Sequence, residues 1–190
     1  MNTPDLHSYV KLLKECLSAI DEAEVAALAG LLLDTNARGG TTYVFGNGDS
    51  ATNAVHFAAD LSKGTIVPGA KRLRVICLNE NVPLMTAWGN DTSYDMIFRE
   101  QLENLLKSGD VVIGISTSGN SPNILRAMEY ANGAGAHTVG LSASKGGKLA
   151  SLARHNIIAK TDNVELAEDV HFVIGHMLKI CLIRKQTGRA

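Results

Sequence analysis

The chain is expected to fold as an α/β protein, with a parallel sheet covered by helices on both faces. Three observations carry this. From residue 42 onward, short apolar runs alternate with helical patterns. The runs are apolar almost throughout rather than at alternate positions, as in strands buried on both faces. Two of them end in glycine- and hydroxyl-rich turns that lead straight into helices, and an open parallel sheet binds its ligands at that edge.

Residues 5–37 read as two helices. Leu13, Leu17 and Ile20, then Val25, Leu28, Leu31 and Leu32, recur at spacings of three and four, with a break expected near Asp21. Arg38-Gly39-Gly40 closes this region as a C-cap and turn. Strands are expected at 42–45, 73–78, 111–115, 138–141 and 156–159. Helices are expected near 51–62, 82–88, 94–107, 121–134 and 147–153, and a long one over 164–183. No linker, repeat or low-complexity tract divides the chain. A single domain over 1–190 is expected, with N-terminal helices in 1–38 and the α/β core and C-terminal helix in 39–190. The N-terminal helices are apolar over more of their circumference than one packing face needs. That pattern fits an oligomeric helix bundle and intramolecular packing equally.

Composition narrows the function classes. A chain of 190 residues, 45% hydrophobic, can bury one sizeable core. Its 18 basic and 19 acidic residues leave a formal charge of −1, and no basic run suggests nucleic-acid binding. Cys16, Cys77 and Cys181 are odd in number and widely spaced, which reads as free thiols in a reducing compartment rather than a disulfide framework. The polar start carries no signal-peptide pattern, and no apolar run approaches a membrane span. A cytoplasmic protein that binds neither membrane nor nucleic acid is expected.

The most informative stretch is Ile115-Ser-Thr-Ser-Gly-Asn-Ser121, which lies between an expected strand and an expected helix. Free N–H groups at a helix start and the helix dipole favour an anion there. Ser116, Thr117, Ser118 and Ser121 add hydroxyls, and Gly119 allows close backbone approach. The loop has no lysine, so it is not a Walker A loop and suits a phosphate monoester. A second strand–turn–helix unit places Asn47-Gly48-Asp49-Ser50 after residues 42–46. Two such loops on one sheet edge are suited to gripping one small phosphorylated molecule.

Ionisable residues lie nearby. His56 and Asp60, at i and i+4, share one face of the helix that follows the Asn47–Ser50 turn, an arrangement open to a surface pair or to a site. The last helix carries Glu165, Glu168, Asp169, His171 and His176 among apolar residues. Glu168 and His176 are eight residues apart, about 12 Å along a helix. One helix does not easily bring both to a small ion, whereas two copies from two subunits would.

Taken together, Gly46-Asn-Gly48-Asp-Ser50, His56-Phe-Ala-Ala-Asp60, Gly89-Asn-Asp91 and Gly114-Ile-Ser-Thr-Ser-Gly-Asn-Ser121 resemble the SIS (sugar isomerase) domain, and within it the phosphoheptose isomerase branch. The similarity spans almost the whole chain. It implies a flavodoxin-like five-stranded parallel sheet in a homotetramer, with sites between subunits and the N-terminal helices serving oligomerisation. It implies that Ser50, Ser116, Thr117, Ser118 and Ser121 hold a sugar phosphate and that Asn47, Asp91 and Glu168 line the substrate. It implies proton transfer by Asp60 and His176. Some members bind zinc with residues matching His56, Asp60, Glu168 and His176, which implies one zinc per site. The expected activity is conversion of D-sedoheptulose 7-phosphate to D-glycero-D-manno-heptose 7-phosphate. The alternative is a non-catalytic SIS protein that binds a sugar phosphate or a replication-initiator-type protein.

The chain departs from the family pattern at several positions. Asp60 stands where glutamate is usual, Glu168 where glutamine is, and Glu165 where aspartate is. Asp49 replaces a small residue, and Lys63-Gly64 replaces Gly-Arg. The shortened acid is the departure that keeps the non-catalytic branch as the alternative.

Overall fold

Five parallel strands form one sheet in the order β2-β1-β3-β4-β5, and helices cover both of its faces. The strands are β1 (Thr42–Gly46), β2 (Val75–Cys77), β3 (Val111–Ile115), β4 (His137–Ala143) and β5 (His155–Ala159). The helices are α1 (Leu6–Ser18), α2 (Glu22–Ala37), α3 (Asp49–Ala59), α4 (Val82–Asp91), α5 (Arg99–Leu105), α6 (Pro122–Gly133), α7 (Gly147–Leu152) and α8 (Val164–Thr187). The computed structural model describes residues 5–188; the polar start of the chain and both ends of the expected 1–190 domain lie outside the described residues.

Local chemistry sets the helix ends. The Asp5 and Asp21 carboxylates accept from the N–H groups of His7 and Ser8 and of Ala23 and Glu24, so α1 and α2 start where an aspartate can cap them. Asn81 and Asn163 cap α4 and α8 in the same way. The break near Asp21 is therefore a new N-cap.

Strand residues divide cleanly by parity. Val44, Val111, Ile113 and Ile115 point into a core shared with α1, α2, α3 and α8, through Leu28, Leu32, Phe57 and Ile174. Tyr43, Phe45 and Val112 point into the opposite core, with Phe98, Leu102, Ile124 and Met128 from the α5–α6 side. This two-sided burial explains the continuous apolar runs.

Three boundaries differ from the sequence reading. The strand expected at 73–78 is only Val75–Cys77, because β2 is an edge strand paired with β1 alone. The helix expected at 94–107 is broken: a 3₁₀ turn, Tyr94–Met96, precedes α5, and the buried Ile97 and Phe98 plug the core between them. The helix after β1 continues into a π-helical turn, Asp60–Gly64.

Strand order places the ligand-binding edge. In a 2-1-3-4-5 sheet, connections leave β1 and β3 in opposite directions and a crevice opens between them. Gly46 of β1 lies level with Ile115 of β3, so the loops at 47–50 and 116–121 start side by side at that crevice.

Candidate active site

Neither α3 nor α6 has a side-chain N-cap bond. Gly48 precedes α3 and offers no side chain. Ser121 precedes α6, yet its hydroxyl turns away to Ser116 Oγ at 3.1 Å, and Ser116 Oγ also lies 3.5 Å from Ser118 Oγ. Three of the predicted hydroxyls are thus clustered over an uncapped helix start. Ser116 and Ser50 are buried, Thr117 and Ser121 half-buried and Ser118 exposed.

The cradle is held in shape from behind. Gly119 has φ +62°, and a β-carbon there would fall 2.0 Å from the Gly146 carbonyl oxygen, so only glycine fits. The Gly119 carbonyl accepts from Leu149 N–H at 2.9 Å, and Asn120 Oδ1 accepts from Lys148 N–H at 3.1 Å. The first turn of α7 therefore braces the loop.

Asn47 is more constrained than its sequence position suggests. Its Nδ2 donates to Asn123 Oδ1 and its Oδ1 accepts from Asn123 Nδ2, both at 2.8 Å. The Tyr94 hydroxyl also donates to Asn47 Oδ1 at 3.1 Å. With the oxygen engaged twice, Asn47 has one side-chain N–H left for a ligand. Buried Asn123 and exposed Tyr94 were missed from the sequence. The Ser-Pro-Asn start of α6 was a readable signal for Asn123, but nothing local pointed to Tyr94. Asp91 is exposed at the end of α4 and accepts from Asn90 Nδ2.

The ionisable cluster forms between α3 and α8. His56 Nε2 lies 3.0 Å from His176 Nε2, and Asp60 Oδ2 lies 3.4 Å from His56 Nε2 and 3.6 Å from His176 Nε2. Gly175 lets the helices approach this closely: a β-carbon there would meet the Phe57 ring at 2.5 Å. The Phe172 ring packs against both imidazoles, at centroid distances of 4.4 and 4.8 Å. Among the described residues, His56, Asp60 and His176 are the group suited to a metal, with ligand atoms within 4.8 Å of one another. Tetrahedral zinc with bonds of about 2.0–2.1 Å spaces its ligand atoms about 3.3 Å apart. The observed triangle of two imidazole nitrogens and a carboxylate oxygen fits that ion.

Glu168 is not part of this triangle. It sits over two turns earlier on α8, where its backbone carbonyl accepts from Asn53 Nδ2 at 3.1 Å. Burial pushes its carboxyl pKa up, and the charges of Asp49, Glu165 and Asp169 add to the shift. Asp169 instead accepts a 2.6 Å hydrogen bond from the Tyr9 hydroxyl and ties α1 to α8. His171 is fully buried; its Nε2 meets the Ser142 carbonyl at 2.9 Å, and desolvation lowers its pKa, so it is a core residue. Lys179, which the sequence reading passed over, places Nζ 2.9 Å from both oxygens of Asp60. Its spacing of three from His176 was the available signal.

An open depression of about 620 Å³ runs beside His56, lined by Ala51, Thr52, Val55, Ala59, Asn79 and Met85. A cleft of about 370 Å³ lies against Thr117, Ser118 and Asn120 on the other side of the cradle. Among the described residues no helix is long and apolar enough to cross a membrane.

A five-stranded parallel sheet with a serine-rich loop at its switch point, and a carboxylate–histidine cluster between α3 and α8, is the layout of an α/β protein of the SIS type. The SIS domain profile matches residues 7–143. The chain is 35% identical over 174 residues to a probable phosphoheptose isomerase of Thermoplasma volcanium, covering 92% of this chain and 88% of the relative. It is 36% identical over 155 residues to the phosphoheptose isomerase of Aquifex aeolicus, covering 82% and 81%. The solved phosphoheptose isomerase of Francisella tularensis superposes with a TM-score of 0.86 at 28% identity over 94% of each chain. That of Neisseria gonorrhoeae gives 0.83 at 29% identity over 93% of each. The chain belongs to the SIS domain family, in its phosphoheptose isomerase branch.

Proposed function

We propose that this enzyme interconverts D-sedoheptulose 7-phosphate and D-glycero-D-manno-heptose 7-phosphate, a ketose–aldose isomerisation through an enediolate. The observation that carries the reading is the close triangle of His56, Asp60 and His176, formed where α8 meets α3, the helix that starts at the 47–50 loop. Ser50, Ser116, Thr117, Ser118 and Ser121 take the phosphate, and the uncapped helix starts add backbone N–H groups. Asn47 donates its remaining N–H to the sugar, and Asp91 and Glu168 line the substrate. Asp60 and His176 move the proton between the neighbouring carbons and the carbonyl oxygen. The two-nitrogen, one-oxygen donor set favours zinc, held by His56, Asp60 and His176. When bound, such an ion supplies Lewis-acid polarisation of the substrate carbonyl.

The assembly is read as a cytoplasmic homotetramer with sites shared between subunits. Leu6 and Val10 of α1 are 90% and 52% exposed, and no residue of α4 is buried within the chain. Glu168 then reaches the site of a neighbouring copy, which its distance from His176 along α8 favours. Light scattering at micromolar concentration is expected to give four times the chain mass, and a monomer would contradict the shared site.

The test of function is direct. Pure protein incubated with sedoheptulose 7-phosphate is expected to produce an aldose phosphate. Binding without turnover, with or without added zinc, would leave the non-catalytic reading in its place.

A further inference from the structure

We propose that Lys179 is a built-in cation that competes with a divalent metal for Asp60, so that this chain holds metal at the cluster weakly. The inference rests on the reading that His56, Asp60 and His176 take a divalent ion. The Lys179 ammonium contacts both carboxylate oxygens of Asp60 at 2.9 Å. One of these, Oδ2, is also the vertex facing the two imidazoles. A metal and the ammonium therefore draw on the same oxygen.

The lysine is seated there by its surroundings. Its stem crosses the π-helical turn Asp60–Gly64, where a β-carbon on Gly64 would fall 2.7 Å from Lys179 Cδ. Any side chain at position 64 would push the stem off this route. Lys179 and Asp60 keep only 27% and 16% of their side-chain surface exposed. Aspartate has one rotatable bond fewer than glutamate, so the carboxylate has little freedom to move away from the ammonium while keeping its place in the triangle. A divalent ion bonded to Oδ2 would sit within a few ångströms of a positive charge, and solvent screens that repulsion only in part. The pairing thus compensates Asp60 internally and lowers the affinity of the cluster for metal.

The experiment measures zinc affinity of the purified full chain by competition with a chromophoric chelator. Lys179→Met is expected to bind zinc at least about tenfold more tightly than wild type, because a charge at close range is removed. Lys179→Arg, which keeps the charge, is expected to stay near wild type. Lys179→Gln replaces the methionine variant if the latter does not fold. Equal or weaker zinc binding by a folded charge-removing variant overturns the competition and leaves the metal reading standing. An arginine variant that binds as tightly as the methionine variant also overturns it, because bulk and not charge would then be the cause. Zinc bound by none of the chains overturns the metal reading itself, and this inference with it.

Discussion

Gly175→Ala should separate the geometry of the site from the stability of the fold. The added β-carbon would lie 2.5 Å from Phe57 Cε2, 2.8 Å from Cδ2 and 3.1 Å from Cζ. Carbon pairs prefer about 3.5–4.0 Å, so the contact is short by about 1 Å or more. Phe57 is fully buried and cannot swing into solvent, so α3 and α8 must move apart. Overpacking of this kind costs about 1–3 kcal/mol. Alanine recovers about 1 kcal/mol of helix propensity over glycine. The net loss is about 0–2 kcal/mol, a fall in Tm of a few degrees for a chain of this size. The site cannot absorb the same shift. His56 and Asp60 belong to the α3 side and His176 to α8, so the triangle opens as the helices separate. Misplacing catalytic groups by about 1 Å costs on the order of a hundredfold in rate. The assay is kcat/KM for aldose phosphate formation, with a thermal melt on the same sample. A folded Gly175→Ala protein with wild-type kcat/KM would refute the claim that this glycine sets the spacing of the cluster.

Other substitutions test other parts of the site. Ser116→Ala with Ser118→Ala should weaken phosphosugar binding by roughly 1.5–3 kcal/mol per lost charge-assisted bond, read by calorimetry, with the melt unchanged. His176→Ala and Asp60→Asn should each abolish turnover while sugar-phosphate binding persists, because the cradle stands on other elements; activity in either variant removes that residue from proton transfer. Tyr9→Phe should lower stability below about pH 10, because the native phenol donates to Asp169. Burial first, then that hydrogen bond, raises the Tyr9 pKa to about 12. Between the unfolded value near 10 and the folded value near 12 the native state holds the extra proton, so the wild-type advantage declines as pH rises through that window. Denaturant melts of both proteins across this range would show the difference shrinking, and a constant difference would count against the bond.

The sheet was legible because its strands are buried on both faces. Residues 111–115 could be read without neighbours, since every side chain faces one core or the other. The edge strand was overestimated because Leu73 and Leu78 are buried like strand residues, yet the register with β1 runs only from Val75 to Cys77, with Leu78 N–H making a closing bond to the Val44 carbonyl. The break before α5 was invisible, because Ile97 and Phe98 suit a helix as well as a core plug. At the candidate site, hydroxyl density marked the loop whose Ser116, Ser118 and Ser121 cluster, and the i, i+4 spacing marked His56 and Asp60 as neighbours. Asn123 and Lys179 carried local signals as single residues, but their pairings, like that of Tyr94, were missed for a shared reason. Each acts across a long chain separation, 76 residues for Asn47 and Asn123 and 119 for Asp60 and Lys179, and only the folded topology reveals such pairs.

The amide pair between Asn47 and Asn123 has a consequence for how the crevice breathes. It clasps the loop after β1 to the first turn of α6, with Tyr94 as a third hand. Neither lip of the crevice can loosen without breaking bonds to the other, so the two should open as one cooperative unit in hydrogen exchange. The entropy of ordering both lips is then spent during folding, not at each encounter with a ligand. A ligand arriving at the crevice therefore meets two lips already tied to each other.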